Sequence, residues 1–305
     1  MAQYEILIVG GGPAGYTAAL YAARSGRKTA VVEKLSPGGQ MATTSVIDNY
    51  PGFPEGVDGF ELGEKMEQQA RRYGAETIYA EVLGADLAAV PKVLHTSDGD
   101  LTADAVILAT GAYPRELGLP GEGELRGRGI AYCAACDGMM YRGKVVAVNG
   151  GGNTAVEDAL YLAKLCKKVY LIHRRDSLRA SAVYHKALKD AGVEIIWNSR
   201  VTELRKENRL TGIQLENVVT GEKSELACDG LFVAVGRVPD TGLFAGQVEL
   251  DKAGYLTADE TCRTSVPGVF AAGDVRTKAL RQVITAATDG ANAAHWAETY
   301  LLEEL

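Results

Sequence analysis

Two Rossmann-like α/β domains, the second inserted into the first, are the fold that this 305-residue sequence predicts. The main observation is an internal repeat, in which an apolar strand, a glycine-rich turn and an Ala/Leu-rich helix occur twice. The first copy starts with the apolar strand at 4–9 and the second with the strand at 144–148. Each copy continues through a second apolar strand and short strands with hairpin signals. Two copies of one three-layer α/β design therefore fill most of the chain.

The end of the chain determines the expected order of the domains. The two copies close with matching apolar phrases, Ile107–Gly111 and Phe232–Gly236, and each has a proline three residues further on. The remaining segment starts no third copy, since it contains only an apolar strand, a Gly-Asp pair and a final helix. We therefore expect a discontinuous first domain, 1–115 with 245–305, and an inserted second domain, 116–244.

The composition is that of an ordinary globular protein. Apolar residues make up 47% and charged residues 23%, and the net charge of −7 is spread without long runs. A nucleic-acid partner would need a basic face, so the charge pattern argues against one. No stretch approaches the roughly 20 apolar residues of a membrane span, and the N-terminus lacks the basic segment and cleavage site of a secretory signal. These absences favour a cytoplasmic location.

Each copy places its glycine-rich turn between a strand and a helix, as a dinucleotide site requires. The first turn is Gly10-Gly11-Gly12-Pro13-Ala14-Gly15, and the second is Gly150-Gly151-Gly152-Asn153-Thr154-Ala155. In this pattern the first glycine permits a tight turn, the second lets the backbone approach a pyrophosphate, and the third small residue packs helix on strand. The helix N-terminus then attracts the phosphates. Two such turns in matching frames predict two dinucleotide sites.

The residue after the second strand of each copy distinguishes the two ligands. Glu33 lies 23 residues after Gly10, and an acid there accepts hydrogen bonds from a ribose diol and repels a 2′-phosphate. The matching position in the second copy is His173. The cations that follow it are Arg174, Arg175 and Arg179. Such a cluster suits a 2′-phosphate, although a solvated basic turn has the same composition. We therefore predict FAD at the first site and NADPH at the second.

A Cys-x-x-Cys pair, Cys133 and Cys136, is the second strong signal. It has three interpretations: half of a zinc site, incidental core cysteines, or a redox dithiol in which one thiol resolves the mixed disulfide of the other. The remaining cysteines, Cys166, Cys228 and Cys262, are isolated, so we predict no metal site. Asp137 follows the pair and could deliver a proton to a departing thiolate if burial raises its pKa. A capping role in a turn is the alternative for this residue.

Taken together, these motifs resemble the low-molecular-weight, bacterial-type thioredoxin reductase family over essentially the whole chain. Further matching segments are Gly38–Met41 with Thr43-Thr44, Asn49–Gly52, Ala109–Ala112, Gly273-Asp274 and Arg281-Gln282. The resemblance implies a homodimer that carries electrons from NADPH through FAD to the Cys133–Cys136 disulfide and on to thioredoxin. It implies that Cys136 faces the flavin, that Cys133 attacks thioredoxin, and that the NADPH domain rotates between half-reactions. The segments assigned to FAD beyond the first turn are Glu33-Lys34, Gly39-Gln40, Asn49, Thr110-Gly111, Gly273-Asp274 and Arg281-Gln282-Val283.

Some positions depart from the family pattern and leave partner preference open. They are Ala135 within the cysteine motif, Met139-Met140 after it, and Asn149 before the second glycine turn. Two related enzymes are alternatives: a flavin disulfide reductase with another thioredoxin-fold partner, and a dithiol oxidase that needs no NADPH. A non-catalytic nucleotide-binding module is a third alternative, because fold alone does not establish function. The dithiol argues against a mere binding module.

Overall fold

The fold is described from a computed structural model that covers residues 3–44, 46–180 and 183–303. The chain forms two compact units, Met1–Tyr113 with Val238–Leu305 and Pro114–Arg237. The second unit is inserted into the first. Its end at Arg237 precedes the expected position near 244, because the chain leaves this unit soon after the last strand of its parallel sheet.

The strands are, in chain order, β1 (Tyr4–Val9), β2 (Thr29–Glu33), β3 (Glu76–Tyr79), β4 (Val82–Asp86), β5 (Lys92–Thr96), β6 (Gly99–Leu108), β7 (Ala112–Pro114), β8 (Ile130–Ala131), β9 (Val145–Gly150), β10 (Lys168–Ile172), β11 (Glu194–Ile196), β12 (Ser199–Lys206), β13 (Leu210–Asn217), β14 (Lys223–Ala227), β15 (Gly230–Ala234), β16 (Arg237–Pro239) and β17 (Val269–Ala271). The helices are α1 (Pro13–Arg24), α2 (Gly59–Arg72), α3 (Ala134–Asp137), α4 (Asn153–Ala163), α5 (Val183–Asp190) and α6 (Val283–Glu303).

The first unit is built on a parallel sheet in the order β3-β2-β1-β6-β17. The first half of β6 also pairs antiparallel with β5, which in turn pairs antiparallel with β4. Helices α1 and α6 cover one face through small residues, among them Ala18, Ala293 and Ala297. A Cβ added to Gly290 of α6 would lie 2.2 Å from the Ala14 carbonyl oxygen. These small residues therefore allow α6 to pack closely on the helix that follows the first glycine turn.

The second unit has a parallel sheet in the order β11-β10-β9-β15-β8. Helix α4 packs on one face in a core that includes Val146, Ala159 and Phe232. An antiparallel meander, β12-β13-β14, contributes to the core on the other face. The predicted α/β class with two Rossmann-like units is confirmed. The near-continuous apolar strands β1 and β9 predicted this result, because a strand buried on both faces needs apolar residues on both sides.

No helix within the described ranges combines the length and the apolar character that a bilayer span requires.

Candidate active site

The first glycine turn has the close contacts that the sequence pattern predicts. Gly10 has φ 104°, and a Cβ there would lie 2.5 Å from the Ala109 carbonyl oxygen. A Cβ on Gly15 would lie 1.9 Å from the Gly10 oxygen, so only glycine lets the helix start this close to the strand. Gly12, by contrast, faces open space. This open side is where the backbone can approach a phosphate group.

The second turn repeats this arrangement. A Cβ on Gly150 would lie 2.5 Å from the Ala234 carbonyl oxygen, and Gly152 faces open space. Helices α1 and α4 both begin without a side-chain cap, whereas the side chain of Asp58 caps α2. Both α1 and α4 therefore begin at a glycine that has no capping side chain, as is common where a helix N-terminus binds a phosphate group. Both turns fit the pyrophosphate of a dinucleotide.

The positions compared in the two copies, Glu33 and His173, occupy equivalent places beneath the middle glycine of each turn. The Glu33 carboxylate accepts hydrogen bonds from the N–H groups of Gly11 at 2.7 Å and Leu35 at 3.0 Å. The His173 ring packs so closely that a Cβ on Gly151 would lie 2.2 Å from it. Burial, together with nearby arginines, lowers the pKa of His173. His173 is therefore a neutral packing group, and the cationic character of this region comes from the arginines.

Those arginines, Arg174, Arg175 and Arg179, are all exposed. The chain turns back after the first two, so that the N–H of Arg179 donates to the Gly151 carbonyl at 2.8 Å. This bond returns the cationic segment to the glycine turn. The backbone of Arg179 therefore lies next to the second glycine turn.

Residues assigned to FAD from separate parts of the first unit lie together around the first turn. A Cβ on Gly39 would lie 3.3 Å from the Gly12 Cα, and one on Gly273 would lie 2.9 Å from the Ala14 Cβ. The Asn49 amide donates to the Gln282 amide oxygen at 2.9 Å, across more than 200 residues of sequence. The structure thus brings together segments that sequence spacing alone could not connect.

The remaining residues assigned to FAD have other local roles. Lys34 forms an exposed ion pair with Glu81 at 2.6 Å. The Thr110 hydroxyl donates to the Asp240 carbonyl at 2.5 Å. This bond joins the segment just before the chain leaves the first unit to the segment just after it returns. Arg281 donates to the Asp274 carbonyl at 3.4 Å. The other three are Gln40, which is exposed in a 3-10 turn, Gly111 with φ 78°, and Val283, the first residue of α6.

Cys133 and Cys136 form a disulfide at the start of α3, with their Cα atoms 5.3 Å apart. Cys133 is the N-cap residue of this four-residue helix, and its Sγ accepts a hydrogen bond from the Cys136 N–H at 3.2 Å. The helix rests on α4, because Gly138 allows close approach to Tyr161 and Leu162. The C-x-x-C spacing therefore forms a turn held against α4, in which both cysteines are partly exposed.

Asp137, the last residue of α3, has an environment that suits an acid. Burial raises the pKa of its carboxyl from 3.8 to about 6. A carboxyl with such a pKa holds a proton in part of the population near neutral pH, which general acid catalysis requires.

The isolated cysteines have the opposite character. Burial raises the pKa of Cys166 to about 11 and that of Cys228 and of Cys262 to about 12. The described residues contain no group of three or more His, Cys, Asp or Glu side chains able to hold a metal ion. Thiol chemistry at neutral pH is thus concentrated in the one pair.

A cavity of about 400 Å³ in the second unit is lined in part by the turn that follows α3. It is lined by Arg128, Lys144 and Arg209, together with Met140. Met139 and Met140 are 46% and 52% exposed in the turn that follows α3. Sequence reasoning missed the two arginines, because they are far apart in the chain and form no motif.

Asp289, a buried carboxylate on α6, is a further residue that the sequence did not predict. Its oxygens accept hydrogen bonds from Arg276 at 2.7 and 2.8 Å, from Lys278 at 2.7 Å and from the Gly273 N–H at 2.9 Å. Burial alone would raise the pKa of Asp289, but these cationic donors hold it below its ordinary value. Asp289 thereby fixes the loop that contains the Gly273-Asp274 pair. A charged residue on the apolar stripe of α6 was the sequence signal for it.

Comparison with known proteins gives consistent likenesses over nearly the whole chain. The family model "pyridine nucleotide-disulphide oxidoreductase" matches residues 4–290. A thioredoxin reductase of Treponema pallidum is 46% identical over 302 residues, which cover 98% of this chain and 97% of that protein. A solved thioredoxin reductase of Streptococcus pyogenes superposes with a TM-score of 0.89 at 43% identity, covering 98% of both chains. One from Giardia duodenalis gives a TM-score of 0.90 at 40% identity, with 98% and 99% covered.

Proposed function

Because this chain belongs to the pyridine nucleotide-disulphide oxidoreductase family and, within it, to the thioredoxin reductases, we propose that it carries electrons from NADPH through FAD to the Cys133–Cys136 disulfide and on to a thioredoxin. The enzyme class is that of a thioredoxin-disulfide reductase. FAD would bind at the first glycine turn and NADPH at the second. The family resemblance inferred from the sequence motifs is confirmed.

The observation that carries the proposal is the disulfide itself, in the unit that also holds the cationic glycine turn. A nucleotide-binding module has no use for such a pair, and a zinc site would need more ligands than the described residues offer. The first glycine turn has Glu33 in place of cations, which favours an adenosine without a 2′-phosphate.

The chemistry follows from the residues around the disulfide. A flavin held at the first glycine turn would supply the electron pair, drawn from NADPH, that reduces the disulfide through the sulfur of Cys136. The Cys133–Cys136 bond then breaks, and Cys133 leaves as a thiolate that Asp137 can protonate. After losing this proton again, Cys133 attacks the disulfide of the partner, forms a mixed disulfide and releases one partner thiolate, which takes up a proton. Cys136 attacks Cys133, which restores the internal disulfide and releases the second partner thiol.

The partner side of the proposal is supported by the turn that follows the pair and by the cavity that this turn lines. Exposed Met139 and Met140 offer adaptable apolar contact, and the cations around the cavity suit acidic groups on a partner. We also propose a homodimer and a rotation of the inserted unit between half-reactions, both from the family resemblance. The cytoplasmic location remains a prediction from the sequence.

Anaerobic titration of the purified protein tests the function. We expect a yellow protein whose flavin absorbance is bleached by NADPH and restored by oxidised thioredoxin. A dithiol oxidase would instead be bleached by small thiols and restored by oxygen, with no need for NADPH. A colourless protein, or one that NADPH leaves unchanged, would refute the proposal.

The double variant Arg174→Ala with Arg175→Ala is expected to raise the KM for NADPH by tens-fold or more, because each lost charged contact contributes roughly 1.5–3 kcal/mol. The KM for NADH should change little. Steady-state kinetics with both coenzymes provide the measurement. Arg200→Ala, which removes an exposed arginine paired with Glu216 in the same unit, is the matched control. Equal changes in the KM for NADPH and for NADH would show that these arginines do not bind the 2′-phosphate.

The variant Asp137→Asn is expected to affect activity and stability in opposite directions. Loss of a general acid lowers thioredoxin reduction by about 10²-fold or more. Burial of the ionised carboxyl costs the folded state about 3 kcal/mol at pH 7, given a pKa shift from 3.8 to about 6. As the pH rises, Asp137 ionises first in the unfolded state. Its contribution to the free energy of unfolding is therefore complete below about pH 3.8 and lost once the pH has risen through about 6. The Asn variant should therefore be more stable than the wild type at pH 7, and this gain should shrink towards pH 4.

Urea unfolding at several pH values, with FAD in fixed excess, measures this gain. A variant that is slower but no more stable at pH 7 would contradict the burial argument. A variant with full activity would remove Asp137 from the proton transfer.

A further inference from the structure

Glu122 is a buried carboxylate, 2% exposed, that lies between the entry of the chain into the second unit and the cysteine pair. Its oxygens accept hydrogen bonds from three successive backbone N–H groups, those of Leu117 at 2.9 Å, Gly118 at 2.8 Å and Leu119 at 3.2 Å. The fourth donor is the hydroxyl of Tyr132 at 2.8 Å. One side chain thus joins the loop at 117–119 to the residue directly before Cys133.

Tyr132 is held from more than one side. Burial and the neighbouring Glu122 carboxylate raise its pKa, so its hydroxyl remains a donor throughout the physiological range. The guanidinium of Arg126 lies over the ring, 4.7 Å from its centroid, and Arg126 itself pairs with Glu116 at 3.6 Å. The ring also packs against the core beneath the meander, as Leu117 and Leu119 do. Tyr132 therefore anchors the end of β8 from which Cys133 emerges.

The cysteine turn has little intrinsic rigidity without its disulfide. Helix α3 has four residues, and so short a helix does not hold its shape alone. When the disulfide is reduced, the turn depends on its flanks. Gly138 contacts α4 on the C-terminal side, and Tyr132 provides the anchor on the N-terminal side. The geometry of the reduced pair thus rests in part on the Glu122–Tyr132 hydrogen bond.

We propose that Glu122 and Tyr132 are positioning residues for the redox pair, which hold Cys133 near Cys136 after the disulfide has opened. This role rests on the proposed function of the pair. The role is to raise the effective concentration of the Cys133 sulfur at Cys136. A well-placed Cys133 re-forms the internal disulfide readily, and a loosely held one does so less often.

Tyr132→Phe tests the proposal, since it removes one hydroxyl and keeps the ring under Arg126. Loss of the hydrogen bond should lower, by about tenfold, the equilibrium constant for forming the internal disulfide from the reduced pair and oxidised glutathione. The kcat for thioredoxin should fall by a similar factor, while the KM for NADPH and the rate of flavin reduction by NADPH stay unchanged. Glutathione-buffered equilibration with thiol trapping gives the equilibrium constant, and stopped-flow absorbance gives the rate.

Tyr4→Phe is the matched control, because it removes a similar hydroxyl-to-carboxylate hydrogen bond, to Glu76 at 2.7 Å, in the other unit. A double-mutant cycle completes the test: in a Glu122→Gln background, Tyr132→Phe should have little further effect. An unchanged glutathione equilibrium in Tyr132→Phe would overturn the positioning role even if thermal stability fell. A wild-type protein in which NADPH never reduces the pair would overturn the proposed function instead, so the two failures are distinguishable.

Discussion

The variant Cys136→Ser is expected to lose thioredoxin reduction by at least about 10³-fold while its flavin is still reduced by NADPH. The serine hydroxyl can neither accept an electron pair from the flavin nor attack a mixed disulfide at Cys133. Electrons would therefore enter the enzyme and stop before the partner. Anaerobic stopped-flow absorbance measures the first half of the reaction, and turnover with oxidised thioredoxin measures the second.

The same variant also tests which cysteine attacks the partner. With Cys133 intact and no resolving thiol, a mixed disulfide with thioredoxin should accumulate and be visible on a non-reducing gel. Cys133→Ser should form no such adduct. Cys166→Ser removes an isolated thiol from the same unit and should leave both half-reactions unchanged. Sustained thioredoxin reduction by Cys136→Ser would refute the role given to Cys136.

The second large effect is expected from Asp289→Asn, which should lower the free energy of unfolding by about 3–5 kcal/mol at pH 7. The side chains of Arg276 and Lys278 are only 3% and 7% exposed, so the variant leaves two buried cations without a full counter-charge. The N–H of Gly273 also loses a charged acceptor, which should weaken FAD retention. Chemical unfolding followed by circular dichroism, with FAD in fixed excess, gives the free energy.

The pH dependence gives this prediction a second measurement. The pKa of Asp289 is lowered on folding, so its contribution is complete above the ordinary carboxyl pKa and is lost as the pH falls through the lower folded value. The difference between wild type and variant should therefore decrease under acidic conditions. Asp190→Asn, which removes an exposed partner of Lys186, is the control and should cost less than about 1 kcal/mol. A similar loss in both variants would contradict the buried-network argument.

The sequence predicted the repeat, the glycine turns and the cysteine pair, because each rests on local chemistry. Gly10 and Gly150 each lie so close to a backbone carbonyl oxygen that no side chain fits there. The sequence shows this requirement directly, because a glycine stands at each position. The C-x-x-C spacing likewise needs only one turn of helix to bring the sulfurs together.

The side-chain networks could not be predicted in the same way. Glu122 and Asp289 are ordinary acids in sequence, and their importance comes from partners that the fold brings together: Tyr132 for the first, and Arg276 with Lys278 for the second. His173 illustrates a related limit. Its position before three arginines predicted a place in the NADPH site, which stays a prediction, but not that its ring lies beneath Gly151, where burial lowers its pKa.

The environment of the three isolated cysteines, two buried and one half-buried, has a consequence for covalent inhibitors. An electrophile reacts with thiolates, and Cys166, Cys228 and Cys262 stay almost wholly protonated at neutral pH. A mild thiol-alkylating compound should therefore spare the resting enzyme, whose remaining two cysteines are bonded to each other. It should alkylate Cys133 or Cys136 only during turnover, when their disulfide is reduced. Inactivation would then depend on coenzyme, and labelling would report how often the enzyme is caught in its reduced form.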